Sequence, residues 1–540
     1  MVCVLDCTLR DGGYYCDWDF DQTLVGRYLA AVEASGIDIV ELGFRYFPRN
    51  KYLGPYAYTT DNFLATLALP PRLTIAVMVD AKEILSFHDG VAEGISKLFA
   101  KCENSPVDIV RIAVNALDAE KTQPIVQCLC ELGYRVIVNL MQVGKADLAD
   151  LEQVARTINS WDLVEVLYFA DSLGNMTPES VGKVVDVLLE EWEGPLGIHA
   201  HDNKRNALVN TLSVLDRGVT FVDSTILGMG RGAGNVRTEN LLIELNEKSI
   251  NSYYPDALYS LVLQEFEGLH KQYQWGPNLY YFLSATYGIH PTYAQEMLGG
   301  EDSPLYDTDD ILSAIGSLRK SGGHVYSLEA MSRAISGDPG TENGAWDATG
   351  WLSGKNVLIV GTGSTVRQHI HQIENFVKTN DVLVLCLNIN EIVPNDIITA
   401  YVACYETRIL IQAEKYSKID KTLIIPLSRV SEEISKVLGN TDCCDYGMRI
   451  EQGSFDIFKS GCILPRSLAG AYALAMATAA GAETIYLVGM DGYSEDDPRQ
   501  KIMAGVFEKY NELPNRVPVV SLTPTTYSVD TRSLYEPSGF

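Results

Sequence analysis

The chain has no run of 18 or more apolar residues, and it does not open with a basic stretch followed by an apolar one. Neither a membrane-spanning helix nor a secretion signal is therefore expected. Positive charge is scarce. Lys and Arg total 42 against 70 Asp and Glu in 540 residues, for a formal net charge of -28 and a pI near 4.7. That excludes the broad basic face on which non-specific binding to nucleic acid or to an anionic membrane depends, and leaves room only for a local basic pocket. The 11 cysteines are odd in number and scattered. Cys443-Cys444 is a vicinal pair and Cys128 and Cys130 are one residue apart; neither has a zinc spacing, and nothing suggests a disulfide framework. Internal repeats and low-complexity segments are also missing. These absences predict a reduced, cytoplasmic protein whose acidity serves solubility. Hydrophobic content of 46% and charged content of 21% are ordinary for a globular chain, and the length allows two or three domains.

What is present first is an alternation. Over the first 240 residues, eight short apolar, β-branched runs recur, each followed by a longer stretch with helical spacing: "VCVLDCTLRD", "DIVELGFR", "RLTIAVMVD", "VDIVRIAVN", "RVIVNLMQ", "VEVLYFADS", "PLGIHAHDN" and "FVDSTILGMG". Eight βα units predict a TIM (β/α)8 barrel over residues 1–245 rather than an open doubly wound sheet. Polar residues gather at the C-terminal ends of these runs, among them Arg10, Asp11, Asp80, Asn115, Asp171 and His199. That end of a barrel carries the catalytic loops. Residues 246–345 read as a helical, aromatic-rich appendage that completes the active site. The segment "SGDPGTENGAWDATGWLSGK" reads as a linker. Residues 355–540 read as a Rossmann-like α/β domain, with strands expected in "NVLIV", "DVLVLCLN", "RILIQA", "KTLIIPL" and "TIYLVG".

The chemistry concentrates in two stretches. In "GIHAHDN", His199 and His201 lie two apart, so on a strand both face one side. With Asp11 from the first strand they make a two-histidine, one-carboxylate set able to hold a divalent ion with positions open for substrate. Arg10 beside Asp11 is placed to stabilise a developing oxyanion, and Gly12 and Gly13 are expected to bend a tight turn that brings both side chains to the centre. A bland alternative, core histidines and a structural ion pair, accounts for the residue types but not for their place at the functional end. Glu41 and Arg111 face the same side, as interior ion pair or as substrate contacts. In "GMGRGAGN" the glycines allow close backbone approach and Asn235 is a candidate metal or substrate contact.

"LDCTLRDGG", "GIHAHDN" and "GMGRGAGN" together resemble the DRE-TIM metallolyase superfamily, the HMG-CoA-lyase-like family. Within it they resemble most the 4-hydroxy-2-oxovalerate aldolases, over about the first 300 residues. The resemblance implies that Asp11, His199 and His201 bind Mn2+ or Mg2+, with Zn2+ or Co2+ as alternatives. It implies that Arg10 stabilises a pyruvate enolate, and that Ser172 and Tyr287, the latter in "SATYGIHP", line the substrate pocket with His199. It also implies a carbon–carbon lyase acting on a 4-hydroxy-2-oxo acid to give pyruvate and an aldehyde, or the reverse. A homo-oligomer and an aldehyde dehydrogenase partner would follow the family's habit. The chain departs from the aldolases at one point. They place a base histidine a few residues after the Arg-Asp pair; here Tyr14 stands there, and an ordinary phenol is a poor base at neutral pH. A water, a hydroxide or His290 is the alternative base. "GMGRGAGN" lacks the cysteine of HMG-CoA lyases. Acyl-CoA Claisen-type synthases share the metal set but carry a different C-terminal domain.

In the third domain "VGTGST" reads as strand, glycine turn and helix start, a common anion cradle that lacks the full dinucleotide spacing. With "AETIYLVGMDGY" it resembles domains of sialyltransferase-related and pterin-pyrophosphokinase-like proteins. That likeness implies a nucleotide or nucleotide-sugar site at Gly361, Gly363 and Asp491. The alternative function is a surface-polysaccharide enzyme whose barrel modifies a sugar-derived oxo acid. A barrel acting only as a scaffold is the third reading.

Overall fold

A computed structural model describes residues 2–298, 308–321, 340–439, 441–451, 453–493 and 498–536, with isolated residues between 322 and 339. The chain divides into two compact units, one formed by residues 1–303 with 322–326, the other by residues 304–321 with 327–540.

In the first unit all eight predicted runs form strands: β1 (Cys3–Asp6), β2 (Ile39–Phe44), β3 (Thr74–Asp80), β4 (Ile109–Asn115), β5 (Arg135–Met141), β6 (Val166–Asp171), β7 (Leu196–Ala200) and β8 (Val219–Ser224). They close in sequence order into a parallel barrel, β8 pairing with β1 from Cys3 opposite Phe221 to Asp6 opposite Ser224. The period of two fixes what fills the interior. Ile39, Ile109 and Ile137 belong to an apolar inner layer. Two residues on, along the same strands, Glu41, Arg111 and Asn139 are buried above it. Gly197 is small because Tyr168 occupies its space; a Cβ there would stand 2.4 Å from the Tyr168 ring. Outside, the helix Gln22–Ser35 is capped by Asp21, which accepts from Leu24 N at 2.9 Å, and stops at Gly36 with φ of 83°. It buries Leu24, Val25, Tyr28, Leu29 and Val32, spaced by three and four. Each is worth about 1.5–3 kcal/mol when fully buried.

The appendage follows as the helices Asp256–Leu261, Glu267–Tyr273, Leu279–Thr286 and Pro291–Leu298. Tyr281 and Ala294 pack on Ala233 of the loop after β8, and Trp275 Nε1 donates to Leu227 O at 3.1 Å. The appendage is thereby tied to the catalytic face.

The second unit is an α/β domain. Its strands β9 (Asn356–Val360), β10 (Leu383–Leu387), β11 (Ala400–Val402), β12 (Thr422–Ile425) and β13 (Cys443–Asp445) run outward on one side. A further strand at Thr484–Val488 lies on the other side of β9, followed by Val519–Ser521 and Asp530–Thr531. All pairs in this eight-stranded sheet are parallel. A small three-stranded sheet joins Gly447–Ile450, Gly461–Leu464 and Asp456–Phe458.

Two expectations are corrected. "RILIQA" is helix, within Glu406–Tyr416. Ile409, Ala413 and Tyr416 are buried while Leu410 and Ile411 are exposed, a spacing of three to four that only a helix can bury; the neighbouring strand is Ala400–Val402. Residues 340–355 of the segment read as a linker are built into the second unit. Gly344 N donates to Ser460 O, Trp346 N to Asp445 O and Ala348 N to Lys459 O, and Ala348 and Leu352 enter the core of the second unit.

Candidate active site

The site is built on a buried carboxylate. Asp6, at the end of β1, accepts from Thr8 N at 2.9 Å, Thr8 Oγ1 and Tyr28 OH at 2.6 Å, and Thr238 Oγ1 at 2.7 Å. Thr8 Oγ1 in turn accepts from Ile226 N at 2.8 Å. This knot ties the ends of β1 and β8 and fixes the short helix Thr8–Gly12, which carries Arg10 and Asp11. The expected bend at Gly12 and Gly13 is not there: both have right-handed helical torsions, with φ of -72° and -59°. Their role is space. A Cβ on Gly12 would stand 2.8 Å from Met229 Sδ, and one on Gly13 2.1 Å from Trp18 Cδ1.

Asp11, His199 and His201 come together, all buried, with their donor atoms within 4.8 Å of one another. His199 Nε2 is 3.8 Å from Asp11 Oδ2, a gap that one ion about 2.1 Å from each donor spans. The two imidazoles stand edge to face with centroids 5.0 Å apart. His199 Nδ1 meets Asp223 Oδ2 at 2.8 Å, so Nδ1 carries the proton and the Nε2 lone pair faces Asp11, the tautomer a metal ligand requires. Asn235 Nδ2 donates to Asp11 Oδ2. Gly230 makes that contact possible, since a Cβ there would stand 2.5 Å from Asn235 Nδ2 and 3.0 Å from Asp11 Oδ2.

Behind the triad runs a chain of buried charge. Arg10 Nη1 donates to Asp11 Oδ1 at 2.6 Å and its Nε to Glu41 Oε2 at 2.7 Å. Arg111 Nη1 donates to the same Glu41 oxygen at 3.2 Å, and its Nη2 to Asp223 Oδ2 at 2.8 Å. Glu41 and Arg111 are thus the interior ion pair of the two roles open to them. Removing one partner from such a pair costs about 3–5 kcal/mol. The chain links Arg10 to His199 through Glu41, Arg111 and Asp223.

Protonation fits metal binding. Burial alone would raise the Asp11 carboxyl, but Arg10, His201, His199 and the Asn235 bond hold it well below the usual carboxylate range. Burial and then the neighbouring His199 bring His201 down to about 3, with Asp11 opposing. At neutral pH Asp11 is an anion and His201 an unprotonated imidazole, the forms a divalent ion takes. Among the buried polar atoms without a partner, Glu41 Oε1, Arg111 Nε and Asp223 Oδ1 lie in the charge chain behind the triad, and Arg10 Nη2 and Asn235 Oδ1 belong to the two residues bonded to Asp11 itself. A free donor and a free acceptor beside the triad suit a ligand carrying both an oxyanion and a metal. Cys7, His199 and Asp223 also cluster. There, however, Asp223 is taken up by Arg111 and His199, while burial raises the Cys7 thiol far above its usual range and its Sγ donates to Ser224 O. That cluster orients His199.

The remaining predicted residues distribute as follows. Tyr14 lies against Trp18 with centroids 4.7 Å apart, under the guanidinium of Arg231 at 5.6 Å. Ser172 Oγ accepts from Gln142 N at 2.9 Å. Tyr287 caps the helix Leu279–Thr286 in the appendage. His290 is brought down to about 3 by burial, then by Arg231 and Lys145, which makes it a weak base. In the second unit Gly361, Gly363 and Asp491 converge. Asp491 accepts from Thr365 N at 3.0 Å, Ser364 Oγ at 3.2 Å and Thr365 Oγ1, so its own carboxylate fills the start of the helix Ser364–Asn380.

Sequence reasoning passed over Asp223 and Arg231. Asp223 had a signal, a charged residue at an inward position two after Phe221 in "FVDST". Arg231 stood inside the quoted glycine loop, but which way a loop side chain points is not written in spacing.

Residues 77–259 match the family model described as HMGL-like. The matched stretch runs from within β3 through β8 into the helix Asp256–Leu261, and so takes in His199, His201 and Asn235 but not Arg10 or Asp11. Among the chain's relatives, a 4-hydroxy-2-oxovalerate aldolase of Pelotomaculum thermopropionicum is 29% identical over 249 residues, 45% of this chain and 70% of that protein. An oxaloacetate decarboxylase of Mycobacterium tuberculosis is 29% identical over 252 residues, with the same two shares of 45% and 70%. The crystal structure of the N-terminal domain of a Bacteroides vulgatus protein described as an aldolase is 32% identical and covers 54% of this chain and 94% of that one, at a TM-score of 0.49.

Proposed function

We propose that the protein is a divalent-metal-dependent pyruvate aldolase that cleaves a 4-hydroxy-2-oxo acid into pyruvate and an aldehyde, or runs the condensation. The observation that carries this reading is the convergence of Asp11, His199 and His201 beside a buried guanidinium with one unused N–H. A divalent ion at the triad would supply Lewis-acid polarisation of the 2-oxo group. The chain's own residues do the rest. The Arg10 guanidinium is fixed by Asp11 through Nη1 and by Glu41 through Nε, and its Nη2 donates to the oxygen on which enolate charge develops. Such a fixed donor is worth about 10²–10³ in rate. Asp223 keeps the His199 ring oriented, and Ser172 stands at the end of β6 on the substrate side. As C3–C4 breaks, the 4-hydroxyl proton leaves to a base; Tyr14 stands where that base is expected. Release of pyruvate from 4-hydroxy-2-oxo acids with added Mn2+ tests the reading. Full turnover by metal-stripped Asp11→Asn protein overturns it.

A second reading is favoured by Tyr14 itself. Loss of CO2 from a 3-carboxy-2-oxo acid yields the same enolate but has no hydroxyl proton to remove, so it needs no histidine there. One of the relatives is named oxaloacetate decarboxylase. Measuring CO2 against aldehyde from the two substrate types separates the readings.

A further inference from the structure

In a chain of net charge -28, an arginine that meets no carboxylate calls for a reason. Arg231 is such a residue. It is half-buried, and it forms no ion pair with any carboxylate among the described residues. Its place is fixed by its neighbours. Gly230 packs on the Asp11 carboxylate and Asn235 bonds it, while Gly232 O accepts from Tyr15 OH at 3.1 Å and from Gly276 N at 3.1 Å. The loop is therefore pinned on both sides of Arg231, and the guanidinium lies over the Tyr14 ring, 5.6 Å from its centroid. Two more cation-capable groups converge from other elements. Lys145, after β5, and Arg231 both act on His290 of the appendage, and Arg231 also acts on His201. Arg231 and Lys145 carry like charge there, while His290, brought down to about 3, is an uncharged imidazole at neutral pH; a bound anion relieves the repulsion of the two cations.

The position matters for the substrate. Arg10 is buried at the base of the site, 6% exposed, and takes the oxo-acid head. The Phe44 ring meets both the Arg10 guanidinium, at 5.9 Å, and the Tyr14 ring, at 6.3 Å, and Tyr14 in turn carries Arg231, so these side chains form one continuous series from the base of the site. We propose that Arg231, with Lys145 and His290 at its side, forms a second anion subsite that selects 2-oxo acids bearing another anionic group, carboxylate or phosphate, beyond C4. The aldehyde half is then itself an anion. The bond changes stay those of the aldol cleavage: C3–C4 breaks, its electron pair enters the enolate, the hydroxyl proton leaves, and C3 is later protonated. Arg231 binds the distal group and takes no part in those steps.

This rests on the lyase reading, and the two fail differently. Full-length Mn2+-loaded protein is titrated calorimetrically with three 2-oxo acids of equal chain length, ending in methyl, carboxylate or phosphate. The expectation is at least tenfold tighter binding of one or both anionic compounds than of the methyl compound. In Arg231→Gln that preference falls to within about twofold, in Arg231→Lys part of it returns, and Lys145→Gln lowers it less. Whichever anion gains more identifies the group. If all three bind wild-type protein equally, or Arg231→Gln keeps the preference, the subsite is refuted while the metal site stands. If none binds with or without Mn2+, both readings fall. Kinetics give a second check: in Arg231→Gln, KM for the anionic substrate rises relative to the methyl one, and kcat moves less.

Discussion

The roles of single side chains divide by what they touch. On the proposed reading Asp11 and His199 hold the metal, so Asp11→Asn or His199→Ala is expected to abolish both Mn2+ binding by calorimetry and turnover. Arg10→Ala is expected to keep the metal and lose about 10²–10³ in kcat. Asp223 reaches no substrate; it fixes the tautomer of His199 through a 2.8 Å bond. Asp223→Asn should therefore weaken Mn2+ affinity about 10–100-fold. His290 gives a pH signature. Its folded pKa, about 3, lies below the ordinary 6.5, so the unfolded chain takes up the proton first. Stability is full above about pH 6.5 and falls as pH drops from there toward 3. Thermal melts of His290→Gln should fall less steeply across that window than those of the native chain. At this scale the triad was legible because three candidate ligands of two types, in two motifs, leave few other roles. Arg231 and Asp223 were not, because a partner's absence and an orienting bond are facts of three dimensions.

At the scale of elements, the eight barrel strands could be read because each is a buried β-branched run closed by a polar end. The failures share a cause. "RILIQA" has the same composition as a strand, and only the alternation of buried Ile409 with exposed Leu410 and Ile411 reveals a helix. The turn expected at Gly12 and Gly13 rested on glycine's backbone freedom, whereas the structure uses its lack of a side chain against Met229 and Trp18. The same distinction applies at Gly363, which makes room for Asp491. That carboxylate accepts three bonds at the start of the helix Ser364–Asn380 and stabilises the helix dipole. Asp491→Ala is expected to destabilise the second unit by about 0.5–2 kcal/mol in urea unfolding followed on that unit.

For the whole molecule, two units with separate cores mean that a ligand for one need not protect the other. Mn2+ at 100 times its Kd should stabilise the barrel unit by about 2.7 kcal/mol. Hydrogen exchange is expected to slow around residues 6–12 and 196–201, and to stay unchanged in the sheet of residues 356–360 and 484–488. Slowing in both would contradict this. One further consequence follows from the bond between Asn235 and Asp11, which are 224 residues apart. During synthesis the first ligand leaves the ribosome long before the last contact of its shell exists, and most of the barrel must be made in between. A nascent or truncated chain ending before residue 235 carries every metal donor but not the clasp that aims them. The eight strands can therefore close into a ring, β8 on β1, one loop before the clasp on Asp11 has been made.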